Sequence, residues 1–101
     1  MNENQDAYFE RLKSDLSELL AAIAPAIDGA ELAEAQEKID HGEYAIATQV
    51  LGACVVERKI QLDERTVQKM SDLIETMGMK DAADEDFWFW QEMQSYFAGT
   101  R

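Results

Sequence analysis

The chain has 101 residues, 21 of them acidic against nine Lys and Arg, for a formal net charge of −12, and 47% of its residues are apolar. That length gives one domain, residues 1–101, with a core large enough to fold without disulfide or metal staples, and the apolar fraction excludes intrinsic disorder despite the charge. The charge repels nucleic-acid phosphates and anionic membrane surfaces and favours basic partners, so neither nucleic acid nor membrane is an expected partner.

The opening Met1–Asp6 segment has no basic region followed by an apolar run, so it does not read as a secretory signal. The longest apolar stretch, Leu19 to Ile27, is nine residues, whereas a membrane-spanning helix needs about 20. Cys54 is the single cysteine and falls where a core residue belongs. A cytoplasmic protein is expected.

The first helix is predicted from Asp6 to Ala24. Phe9, Leu12, Leu16, Leu19, Leu20, Ile23 and Ile27 follow a three-four spacing, with Glu10, Lys13, Asp15 and Ser17 on the far side. Pro25 ends or kinks it, because proline lacks the amide hydrogen and its ring collides with the preceding turn. The second helix begins at Asp28, which with Glu31 has the spacing of a capping box, and Ile27 and Leu32 sit where a hydrophobic staple would close over the cap. Leu32, Ala35 and Ile39 form a narrow apolar stripe, and Gly42 supplies the left-handed residue that ends the helix.

The third helix, about residues 43–59, is predicted to be the centre of the fold. No charge occurs between Tyr44 and Val56. Tyr44, Ala47, Leu51, Cys54 and Val55 line one face, and Ile46, Val50, Ala53 and Val56 fill much of the rest. A helix apolar nearly all round belongs inside a bundle. Gly52 within it costs roughly 1 kcal/mol in helix propensity relative to Ala, which suggests that another helix packs closely there. The fourth helix takes Asp63 as its cap, with Leu62 and Val67 as a second staple. Its face is Val67, Met70, Leu73, Ile74 and Met77, and it runs to Gly78. A fifth helix is predicted from about Asp84 to Phe97, with acidic residues in its first turn suiting the dipole. Phe87, Trp90, Met93 or Gln94, and Phe97 would be its buried face, leaving Trp88 outside. The fold class is therefore all-α, a single compact bundle of about five helices.

Catalytic and metal constellations are hard to assemble. His41 falls at a predicted helix end, where it serves the terminal carbonyls, and zinc needs three or four well-spaced ligands that are missing. The twelve residues from Asp81 place Glu92 at the last position of a calcium loop, but Ala83 at the third and Asp86 at the sixth break the pattern. No Gly-rich phosphate loop is present. No enzyme, metal or cofactor is expected. The first fifty residues hold eleven acidic and three basic side chains, the remainder ten and six. Of the basic ones, Arg58, Lys59, Arg65 and Lys69 cluster, bordered by Glu57, Asp63 and Glu64, which is the wrong footprint for DNA.

Recognition of another protein remains, and two surfaces qualify. One is the acidic side of the second helix, Glu31, Glu34, Glu37 and Asp40, with Glu43 beside it. The other is the stretch Asp81, Asp84, Glu85, Asp86, Trp88 and Phe89, where carboxylates border large aromatic rings. Interfaces favour aromatic anchors, and complementary charge speeds encounter.

The segment Ile39-Asp40-His41-Gly42-Glu43-Tyr44-x-x-Ala47, followed by Ile60-x-Leu62 and Ile74-x-x-Met77-Gly78, resembles the small acidic helical immunity proteins of bacterial polymorphic-toxin systems, especially the Maf-type family and those of contact-dependent growth inhibition. The resemblance spans roughly residues 32 to 79. It implies a cytoplasmic bacterial protein that binds and neutralises a cognate toxin domain, commonly a nuclease, with an RNase ahead of a DNase and a monomer ahead of a homo-oligomer. Gly42-Glu43-Tyr44-x-x-Ala47 also looks like a tetratricopeptide junction, but such solenoids need about three repeats and one hairpin is visible. Two alternatives stay open: an acidic DNA mimic, and a helical adaptor or dimerisation module using the Trp88 surface.

Overall fold

The computed structural model describes residues 3–99 as five α-helices: α1 (Glu3–Ile23), α2 (Gly29–Asp40), α3 (Tyr44–Glu57), α4 (Glu64–Thr76) and α5 (Phe87–Gly99). Among the described residues there is no strand, and the class is the all-α bundle expected. α1 begins earlier than predicted and ends at Ile23, where a 3-10 turn, Ala24–Ala26, accommodates Pro25 near its start. Leu12, Leu16, Leu19, Leu20 and Ile23 are buried as the spacing required. Phe9 is not: it is 41% exposed. At that end of α1 the neighbouring aromatic rings are Tyr8, edge-on at 5.3 Å, and Tyr44, tilted at 6.3 Å, so the three rings form a surface cluster. The Tyr8 hydroxyl ties it down by donating to the Thr76 carbonyl at 3.1 Å.

α2 opens on the capping box read from its sequence. The Asp28 carboxylate accepts from the Glu31 amide at 2.9 Å, and the Asp28 amide donates back to Glu31 at 3.2 Å. Asp63 caps α4 with a single bond, accepting from the Thr66 amide at 2.7 Å. The helix ends share one device. After α2, α3 and α4 the chain turns through a left-handed residue, Gly42, Lys59 and Gly78, with φ of 72°, 52° and 78°. The two amides beyond each helix then reach back to its last carbonyls, for example Ile60 to Val55 at 3.0 Å and Met79 to Ile74 at 3.0 Å. This is the Schellman arrangement.

α3 packs against α1, α2, α4 and α5. Ala47, Thr48, Leu51, Gly52, Cys54 and Val55 are buried, and Thr48 satisfies its hydroxyl by donating to the Tyr44 carbonyl at 2.8 Å. The central placement holds, with one correction. Four neighbours do not surround α3: Ile46 is 46% exposed and Ala53 is exposed, so one side of the apolar helix faces outward.

α5 departs most from the sequence reading. It starts at Phe87 and has no acidic residue in its first turn. Asp84, Glu85 and Asp86 lie in the turns before it. Its buried positions are Phe89, Met93 and Phe97, whereas Phe87 and Trp90 are half-buried. The cause is Gly52. A Cβ at that position would collide with the Phe89 ring and press on the Met93 sulfur, so the missing side chain is the socket that sets the rotation of α5. Trp90 is held at the rim instead, with the Lys80 ammonium 4.3 Å from its ring centre. Lys80 is positioned by the Ser71 hydroxyl at 2.8 Å.

Candidate functional site

The α2 surface divides into two parts. Glu34, Glu37 and Asp40 are exposed, with Asp40 accepting from the Gln36 side chain at 2.9 Å and Glu43 lying 3.5 Å from Lys38. Glu31 is committed inward. Its carboxylate lies 2.6 Å from the Arg58 guanidinium and accepts from the Cys54 thiol at 3.3 Å. Arg58 also reaches Asp28 at 3.0 Å. The network pins the C-terminal end of α3 to the first turn of α2. The Arg58 hydrogen bond, then the Asp28 amide, hold the Glu31 carboxyl below the usual range. Burial and the facing carboxylate push the Cys54 thiol up to about 11. Glu31, expected to meet a partner, is a fastener between helices.

The acidic-aromatic stretch divides in the same way. Asp81 accepts from the Ala83 amide at 2.9 Å and Asp84 from the Asp86 amide at 2.8 Å. Both shape the turns leading into α5, and of the four carboxylates Glu85 is exposed without such a bond among those described. Phe89 is 2% exposed, so its ring belongs to the core rather than to a contact surface. Trp88 is 52% exposed, the highest value for a large apolar side chain among the described residues. It stands edge-on to Phe89 at 5.8 Å.

A third set of residues joins Trp88, among them Ile46 and Ala53, which the chargeless pattern of α3 places inside the bundle. A small cleft of about 40 Å³ between α3 and α5 is lined by Gln49, Gly52, Ala53, Trp88, Phe89, Glu92 and Met93. Ala53 and Ile46 are seven residues apart and share the outward side of α3, so Ile46, Ala53 and Trp88 mark an apolar strip over α3 and the start of α5. Charge on the two helices is one-signed: Glu57 and Glu92 are their only charged residues. The signal in the sequence was the chargeless length of α3, but periodicity alone could not say which side lacked a neighbour.

Other features carry less chemistry. The His41 Nδ1 donates to the Glu37 carbonyl at 2.7 Å, capping α2 as its position suggested. No group of three or more His, Cys, Asp and Glu among the described residues could hold a metal ion. A groove of about 370 Å³ between α1 and α4 is lined by Glu18, Leu19, Ala21, Ala22, Arg65, Thr66 and Lys69, and Lys69 in it is bonded to Glu18 at 2.6 Å. No described helix is long and apolar enough to cross a membrane. Compared with protein-family models, curated proteins and solved structures, the chain matches none.

Proposed function

We propose that this chain is an acidic inhibitor of the immunity type, which binds a basic toxin domain, a nuclease and an RNase before a DNase, and covers its active-site region. The observation that supports it most is a half-exposed tryptophan on a molecule of net charge −12. Aromatic anchors concentrate binding energy, while the acidic surface supplied by Glu34, Glu37, Asp40, Glu43 and Glu85 steers a basic partner into place. A nuclease cleft is basic because it must hold phosphates, and fast capture protects the cell that makes it.

A DNA mimic fits less well. It needs rows of free carboxylates, and Asp28, Glu31, Asp63, Asp81 and Asp84 here spend theirs on caps, turns and the inter-helix network. Self-association through Trp88 is the other reading that its exposure favours, and sedimentation showing a concentration-independent monomer would remove it. The decisive test is calorimetry of the purified protein against toxin domains, beginning with the C-terminal domain encoded by the neighbouring gene. Sub-micromolar binding to one of them, tolerant of moderate salt, is expected. Broad, salt-sensitive binding to many basic proteins, or none at all, would sink the proposal.

A further inference from the structure

We infer that the contact itself is made by the strip Ile46–Ala53–Trp88 across α3 and α5, and that its occupant is a basic amphipathic segment of the partner protein, apolar on one side and Lys- or Arg-bearing at the margins. The inference rests on the inhibitor reading and deepens it by naming the surface and the chemistry that fits.

The strip presents Ile46, Ala53 and Trp88 to a partner, with one uncharged polar side chain, the half-buried Gln49, between the first two. Ile46 and Trp88 keep about half of their surface open, and Ala53 beside the Trp88 cleft leaves a shallow depression rather than a ridge. Burying an Ile or a Trp fully is favourable at roughly 25 cal/mol per Å² of apolar surface, so these residues gain most from a cover. The margins decide what the cover is. Glu92 lines the cleft, Glu57 lies one turn beyond Ala53, and Glu43 precedes α3; Glu57 and Glu43 are exposed. Neither helix carries a Lys or Arg; of the two that follow α3, Arg58 is paired with Asp28 and Glu31, and the exposed Lys59 lies beyond the helix end beside Val56 and Tyr96. A second copy of this chain would bring like carboxylates together around the strip, and an anionic lipid surface would meet the same repulsion. A cationic margin around apolar residues is the complement that satisfies both parts. The α2 carboxylates then act at a distance, raising the rate of encounter without touching the occupant.

The test separates contact from steering. The probe is a synthetic amphipathic helix of Leu and Lys, roughly 18 residues or five turns long, with a second peptide of equal charge in which Ser replaces Leu. The protein variants are Trp88→Ala, Ile46→Ser and the double charge reversal Glu34→Lys/Glu37→Lys, each checked for helicity and melting temperature. The Leu/Lys peptide is expected to bind the parent chain and the Ser peptide much more weakly. Trp88→Ala and Ile46→Ser should each weaken binding at least about tenfold, through faster dissociation and at every salt concentration. Glu34→Lys/Glu37→Lys should slow association at low salt and leave dissociation unchanged. Equal binding of the two peptides, or a strip variant that binds like the parent, would overturn the inference. So would self-association or vesicle binding that Trp88→Ala abolishes. The two proposals fail separately. A toxin domain whose complex is indifferent to the strip variants removes this one alone, and a peptide that needs the strip while no toxin domain binds removes the inhibitor reading alone.

Discussion

At the scale of single residues, Gly52 shows how an apparently unfavourable choice is forced by packing. Replacing it with Ala recovers about 1 kcal/mol of helix propensity, but the new methyl must displace the buried Phe89 ring and crowd Met93. Overpacking of this kind costs about 1–3 kcal/mol, so Gly52→Ala should lower stability by about 1 kcal/mol in urea unfolding; a gain would show that α5 does not seat there. Glu31 makes the opposite point, that a surface-patterned carboxylate can be structural. Its pKa is lowered in the folded chain. The stability it contributes is therefore present above the ordinary value of 4.5 and is lost as pH falls through the lowered one. Glu31→Gln should melt below the parent at pH 7, and the gap should close as the pH is taken below that range. A gap that stayed constant with pH would assign the loss to packing.

At the scale of elements, caps and ends were the parts most open to reading, because they depend on neighbours within a few residues. Asp28, Asp63, Gly42 and Gly78 do what their positions suggested. The end of α3 was harder to see, since the left-handed residue there is Lys59, not glycine. A side chain in that conformation costs about 1–2 kcal/mol, partly offset by the greater chain entropy that a glycine loses on folding. Lys59→Gly should thus stabilise by up to about 1 kcal/mol, measured by denaturant midpoint; a loss would mean the lysine side chain contributes something its exposed position does not suggest. The rotation of α5 was not legible for a different reason. Phe87-Trp88-Phe89-Trp90 offers a large ring on every side, so periodicity cannot choose among them. A socket more than thirty residues away, at Gly52, makes the choice. Four of the eleven expected contact residues are engaged within the fold in ways that local pattern does not reveal: Glu31 by Arg58 and Cys54, Asp81 and Asp84 by the turns before α5, and Phe89 by the core.

At the scale of the whole molecule, α1 and α3 each pack on several helices, whereas α5 lies closely against α3 and borders α4 across a groove lined by Val67, Ser71, Trp90 and Phe97. The intervening stretch is stitched by Asp81 and Asp84 turns and anchored by the buried Met79. Regions with fewer mutual supports open first. Native-state hydrogen exchange should therefore find the α5 amides exchanging at a lower opening free energy than those of α3, as one cooperative group; equal protection in both would contradict it. The glycine socket thus has a kinetic side as well as a geometric one. The joint where the Phe89 ring enters the Gly52 notch, seconded by the buried Met93 and Phe97 and by the Tyr96 hydroxyl donating to the Ile60 carbonyl, should then be where the molecule comes apart soonest, and Trp88, placed next to it, would make its fluorescence an early reporter of the opening.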